Sequence, residues 1–137
     1  MTGSSDRTCR LWDISNGQCV RVFTGHTGAI KTVAVSPNGR YMASAGEDKS
    51  IMLWDLKSGK KIKKMTGHTG FVYSLEFSAD NNILVSGGAD CTVRVWDVNT
   101  EEVDPMEMEP KRRKLEDDRR IYERYFQKSF AMCTYYL

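Results

Sequence analysis

The stretch TGHTGAIKTVAVSPNGRYMASAGEDKSIMLWD, residues 24–55, decides the fold, because it returns as TGHTGFVYSLEFSADNNILVSGGADCTVRVWD at residues 66–97. Trp-Asp pairs begin at Trp12, Trp54 and Trp96, so both intervals are 42 residues long. Three other markers keep the same interval of 42: a histidine (His26, His68), an aspartate (Asp6, Asp48, Asp90) and a hydroxyl residue (Thr2, Ser44, Ser86). Self-similarity at a fixed period of about 20–50 residues indicates a repeat architecture.

Each repeat is divided into short strands by turn residues. In the first full repeat, predicted strands at 29–35, 41–45, 50–56 and 60–65 are separated by turns marked by Pro, Asn and Gly. Four short strands in every 42 residues predict an all-β chain made of propeller blades.

The GH…D…WD pattern resembles the WD-repeat family over residues 1–98. The resemblance implies a partial β-propeller of about two and a third blades, since one blade takes about 42 residues and a ring needs at least about four blades. We therefore expect the chain to be the C-terminal part of a larger propeller. On this alignment the first blade lacks its innermost strand and the last blade lacks its outermost strand.

The resemblance also implies a buried, hydrogen-bonded polar chain in each blade. The predicted sets are His26, Ser44, Asp48 and Trp54; His68, Ser86, Asp90 and Trp96; and, without a histidine, Thr2, Asp6 and Trp12. A buried indole, imidazole and carboxylate each need a partner, so linking them fixes one geometry. A hydrolase would also use Ser, His and Asp, but a catalytic triad occurs once, beside a cleft. We predict a structural role, no enzymatic activity and no cofactor.

The cysteine pattern indicates free thiols. The chain has four cysteines and two histidines, without a CxxC pair or the spacing of a zinc module (Cys9, Cys19, Cys91, Cys133). We predict a reducing compartment and no metal site. Cys9 occupies the repeat position of Ile51 and is predicted to be a core residue, whereas Cys91 falls in an exposed hairpin.

The charge balance gives no general case for nucleic-acid binding. With 20 Lys+Arg against 18 Asp+Glu, the net charge is +2. No apolar run approaches the roughly 20 residues that a membrane helix needs. One lysine run stands out: Lys57, Lys60, Lys61, Lys63 and Lys64. It either contacts an acidic partner or nucleic acid, or it lies on an outermost strand, where lysine prevents unwanted sheet pairing. We favour the edge-strand interpretation.

The repeat stops after residue 98. Residues 99–114 are an acidic and then basic linker, and residues 115–137 are predicted to be a helix or a disordered tail. One face of that helix would carry Ile121, Tyr122, Tyr125, Phe126, Ser129 and Phe130. The basic cluster Lys111, Arg112, Arg113 and Lys114 fits either a nuclear-import signal or a solvated charge run.

Residues 2–13, 17–26 and 85–97 are similar to the subfamily of WD-repeat TATA-binding-protein-associated factors found in TFIID and SAGA-type coactivators. This resemblance implies a nuclear scaffold for RNA polymerase II transcription that binds other protein subunits, including histone-fold subunits. We predict no small-molecule substrate, no direct nucleic-acid binding and no membrane association. The alternative is another WD-repeat adaptor, such as a ubiquitin-ligase substrate receptor or a ribonucleoprotein scaffold.

Overall fold

The computed structural model describes residues 1–99, which form ten strands and no helix. The predicted linker from residue 100 onward, its basic cluster and the predicted helix or tail at 115–137 lie outside the described residues. The strands are β1 (Thr2–Gly3), β2 (Thr8–Asp13), β3 (Gln18–Thr24), β4 (Ile30–Val35), β5 (Tyr41–Gly46), β6 (Ile51–Asp55), β7 (Lys61–Met65), β8 (Val72–Phe77), β9 (Ile83–Gly88) and β10 (Val93–Asp97).

The strands pair in chain order into three antiparallel sheets. The first sheet has the order β1-β2-β3, the second β4-β5-β6-β7 and the third β8-β9-β10. The prediction of an all-β chain with propeller-like sheets is confirmed. The second sheet has all four predicted strands. No strand in it begins or ends more than one residue from its predicted position.

The core lies between the sheets. Successive side chains of a strand point to opposite faces, so β5 and β6 contribute to two different cores. Met42, Met52 and Trp54 pack with Cys9 and Phe23 of the first sheet. On the other face, four residues of β5 and β6 pack with residues of the third sheet (Ala43, Ala45, Ile51, Leu53 with Val72, Phe77, Leu84). The second sheet is thus covered on both faces, and each buried large aliphatic side chain stabilises it by about 1.5–3 kcal/mol.

The hairpins before β2, β6 and β10 share an unusual backbone. Arg7, Lys49 and Cys91 have φ angles of 72°, 62° and 60°, in the left-handed region that most side chains avoid. Each follows a repeated aspartate, whose Oδ1 accepts the backbone N–H two residues further on. This side-chain cap supports the turn without glycine.

Gly46, at the end of β5, does require glycine, because an added Cβ would collide with the backbone carbonyl oxygen of Ala29. Glu47 N also donates to that oxygen at 2.9 Å. The close approach therefore fixes the segment carrying His26 against the hairpin carrying Asp48.

Candidate functional site

Four residues that are scattered along the second repeat meet at the entry to the second sheet. His26 contacts Asp48 Oδ2 through Nδ1 at 2.7 Å and Ser44 Oγ through Nε2 at 2.7 Å. Trp54 donates from Nε1 to the same hydroxyl at 2.8 Å. Ser44 lies on β5, Trp54 on β6 and Asp48 in the hairpin between them. The hairpin pairing therefore places three of the four residues, and the segment before β4 supplies the histidine.

The hydrogen-bond inventory of these groups defines one consistent direction along the chain. An indole N–H can only donate, so the Ser44 oxygen accepts from Trp54. The Ser44 proton is then available to His26 Nε2, which leaves Nδ1–H to donate to the Asp48 carboxylate. In this arrangement all four side chains have partners although they are largely buried, so the network costs little desolvation energy.

The aspartate is the most strongly bonded member. Burial raises the pKa of Asp48, but hydrogen bonds from His26 and from the backbone amides of Ser50 and Thr27 hold it below the ordinary value. In the third repeat, burial likewise raises the pKa of Asp90. Hydrogen bonds from Thr92, Thr69 and His68 outweigh burial and hold the pKa of Asp90 far below its ordinary value. Both carboxylates therefore stay charged and able to accept hydrogen bonds well below neutral pH.

The third sheet repeats the arrangement with one addition. His68 contacts Asp90 Oδ2 at 2.9 Å and Ser86 Oγ at 2.7 Å, and Trp96 donates to Ser86 Oγ at 2.8 Å. The Thr92 hydroxyl also donates to Asp90 Oδ1 at 2.7 Å. The sequence prediction did not include Thr92. Its repeat position, held by Thr8 and Ser50, was a signal that could have identified it.

The first sheet retains half of the arrangement. Trp12 donates from Nε1 to the Thr2 hydroxyl at 2.8 Å. Asp6 accepts from the Thr8 amide and hydroxyl at 2.9 and 2.6 Å, and these bonds lower its pKa, but no histidine joins it to Thr2. Thus the structure joins Thr2 with Trp12 and leaves Asp6 in a separate turn.

The repeats themselves match a known family model, described as "WD domain, G-beta repeat", at residues 1–13, 17–55 and 59–97. These residues make up more than half of the chain. The chain belongs to the WD-repeat family.

Known proteins match short parts of the chain. The nuclear distribution protein PAC1 of Mycosarcoma maydis is 46% identical over 43 residues, which are 31% of this chain and 10% of that protein. The guanine nucleotide-binding protein G(I)/G(S)/G(T) subunit beta-1 of Homarus americanus is 50% identical over 44 residues, 32% of this chain and 13% of the relative. PAC1 of Arthroderma otae is 38% identical over 47 residues, 34% of this chain and 10% of the relative. The matched stretch thus spans about a tenth of each relative.

The WD-repeat network has the connections of a hydrolytic triad but not its access. Ser44 and Ser86 are 0% exposed, and each hydroxyl oxygen already accepts an indole N–H. A nucleophile must reach its substrate, and a fully buried hydroxyl that already bonds an indole and an imidazole cannot do so. Both histidines are also buried. The network therefore holds the hairpin, β5 and β6 together instead of facing a cleft.

The cysteines of the WD-repeat region are free thiols. Cys9 is buried, whereas Cys19 and Cys91 are exposed. Cys133 lies outside the described residues. Within residues 1–99, no group of three or more His, Cys, Asp or Glu side chains is placed to hold a metal ion. The same residues include no helix long and apolar enough to cross a membrane.

Two kinds of surface remain for other molecules once the network is excluded. Several large apolar side chains are exposed, including Phe71 and Tyr73, whose rings meet edge to face at 6.4 Å between centroids. The lysine run predicted for an outer strand lies on β7 and the turn before it. The predicted import residues Lys111, Arg112, Arg113 and Lys114 are outside the described residues.

Proposed function

We propose that this WD-repeat chain is a non-catalytic docking module of a multiprotein assembly, and that the assembly is a nuclear transcription-initiation or coactivator complex. The general part of the proposal is supported by family membership, because WD repeats imply a protein-interaction scaffold. The transcription complex, its histone-fold partners and the nuclear location are supported by the sequence resemblance described above.

The observation that carries the docking function is the use of the repeated polar residues. His26, Ser44 and Trp54 bond to one another in the interior, and the third repeat does the same with the equivalent residues. The residues that would serve as reactive groups in an enzyme therefore stabilise the sheets. Partner contacts are left to the loops, strand edges and exposed side chains, as is usual for a rigid scaffold.

Affinity purification of the tagged chain from nuclear extract, followed by mass spectrometry, tests the assignment to a transcription complex. We expect subunits of a TFIID- or SAGA-type complex to be recovered at salt concentrations that remove weak ionic contacts. Recovery of stable partners without any such subunit would refute that assignment and leave the docking function in place. Recovery of ubiquitin-ligase subunits or ribonucleoprotein subunits would support the alternative adaptor.

A fluorescent fusion tests the nuclear location separately. Changing Lys111, Arg112, Arg113 and Lys114 to alanine should abolish nuclear accumulation, because import receptors bind an extended basic segment. The matched control changes four basic residues of the repeat region to alanine: Arg7, Arg40, Lys49 and Lys57. Equal nuclear accumulation of both variants and the parent would contradict the import role.

A further inference from the structure

The second sheet ends in an open strand edge. β7 is hydrogen-bonded to β6 and is the outermost of four strands, so its other side presents backbone N–H and C=O groups without a described neighbour. An edge of this kind can accept a further strand. This sheet is also covered on both faces by its neighbours, so a ligand that extends the sheet has to add at an edge.

This edge is strongly basic. All five lysines of the run are exposed: Lys57, Lys60, Lys61, Lys63 and Lys64. Within residues 1–99, none of these five lysines forms an ion pair with a carboxylate. The Lys63 Nζ donates to the Asp97 carbonyl oxygen at 3.3 Å. The positive charge is therefore not neutralised by a described carboxylate.

Among the described strands, the outer edge of the first sheet is much less basic. The outermost strand of the first sheet, β3, carries one basic residue, Arg21, in its sequence QCVRVFT. The Arg21 guanidinium lies beside Gly59, in the turn that leads into β7, and so adds to the same positive region. The repeat fold alone requires no lysines at this position.

The lysines flank the edge on both sides. Lys61 and Lys64 are opposite Trp54 and Met52, whose side chains face the first sheet. Lys63 is opposite Leu53, which faces the third sheet. A strand added to β7 would thus meet ammonium groups on both of its faces. Lysines there repel basic strands and discourage neutral ones, whereas opposite charges on neighbouring strands stabilise pairing.

We propose that the β7 edge is the docking site for an extended acidic segment of a partner protein, which adds to the second sheet as a fifth strand. The proposal rests on the docking function proposed above and specifies one surface and the chemistry of its partner. A peptide fits better than a nucleic acid because it satisfies both features of the edge. Its carboxylates pair with the lysines and its backbone pairs with β7, whereas a nucleic acid would leave the backbone groups of the edge unpaired.

Fluorescence anisotropy with the full chain and a labelled peptide of alternating Glu and Val tests the site. The variant Lys61→Glu, Lys63→Glu, Lys64→Glu should weaken binding about tenfold or more, since three exposed ion pairs are lost. The matched control Arg7→Glu, Arg40→Glu, Lys49→Glu changes the net charge equally and should weaken binding at most about threefold through long-range attraction. Circular dichroism of both variants checks that the sheets are retained.

Two further probes separate strand addition from simple charge attraction. The same peptide with N-methyl groups on alternate backbone nitrogens keeps its carboxylates but loses strand-pairing donors, and should bind at least about fivefold more weakly. An oligonucleotide of equal charge should bind more weakly than the peptide.

Equal losses in the two charge variants, undiminished binding of the methylated peptide or tighter binding of the oligonucleotide would each overturn the proposal. If the peptide fails to bind while affinity purification recovers stable partners, the β7 site is wrong and the docking function stands.

Discussion

The Trp54 indole donates its Nε1–H to the Ser44 hydroxyl at 2.8 Å, from β6 to the neighbouring strand β5. The same oxygen lies 2.7 Å from His26 Nε2. One hydroxyl therefore connects both central strands of the second sheet with the segment that precedes it. The removal of this single group should affect three elements at once.

Replacing Ser44 with alanine should lower the free energy of unfolding by about 1–3 kcal/mol, because the buried indole N–H and the imidazole lose their partner. Urea denaturation of the full chain followed by tryptophan fluorescence measures the change. Ser5→Ala makes the same chemical change at an exposed turn residue and should stay within about 0.5 kcal/mol of the parent. Equal stability of the two variants would show that the network contributes nothing to folding.

The two indoles at equivalent positions of the first and second sheets should differ in energetic importance. Trp12 and Trp54 each donate to a hydroxyl at 2.8 Å, but Trp12 is 36% exposed and Trp54 is 3% exposed. When the indole is removed, water can bond to an exposed hydroxyl that has lost its donor, whereas a buried hydroxyl is left without a partner. Trp54→Phe should therefore cost about 1–2 kcal/mol more than Trp12→Phe in urea denaturation. A larger loss at Trp12 would contradict the assigned burial.

Acid should destabilise the chain through Asp48 and Asp90. The pKa of each is lower in the folded chain than its ordinary value, so the unfolded chain takes up protons first as the pH falls. The stability that they contribute is therefore fully present above the unfolded pKa of about 3.9 and is lost as the pH falls below it.

Urea denaturation measures this loss between about pH 5 and pH 2.5, a range that includes the pKa of aspartate in the unfolded chain. The double variant Asp48→Asn, Asp90→Asn should be less stable than the parent at pH 5 and should lose less stability on acidification. A decline as steep as that of the parent would assign the acid sensitivity to other groups.

The thiols should differ sharply in reactivity. Burial raises the pKa of Cys9 to about 11, and the side chain is 0% exposed. At pH 8 only about one Cys9 thiol in a thousand is ionised, and reagents cannot reach it without unfolding. Brief labelling with iodoacetamide followed by peptide mass spectrometry should modify Cys19 and Cys91 but not Cys9. Labelling in urea is the control and should modify Cys9 as well as Cys19 and Cys91. Rapid labelling of Cys9 in the folded chain would show that the first and second sheets separate readily.

The hairpins show how far local sequence could predict the network. Asp48 lies in the turn between β5 and β6. Ser44 is directly opposite Met52 in this hairpin, and Trp54 is two residues further along the same strand, so local pairing alone brings Ser44 near Trp54. The repeat period then predicts the same arrangement for Ser86 and Trp96. The period also suggested that Asp6 would join Thr2 and Trp12. Asp6 keeps the turn bond that all three aspartates make to the amide two residues further on, but it is not joined to Thr2, because this repeat lacks the histidine that links the aspartate to the hydroxyl in the other two.

The sequence by itself determined the all-β repeat, because a strand period and turn residues act through local backbone geometry. It also determined the histidine, serine, aspartate and tryptophan of the second and third polar sets, and the place of the lysines on an outer strand. Only the tertiary structure decided that Trp12 is partly exposed although Trp54 is buried, and that Lys61 and Lys63 flank opposite sides of one open edge. The physical reason is that burial depends on the neighbouring sheet, whose contacting residues are distant in the chain and have no signature in local sequence.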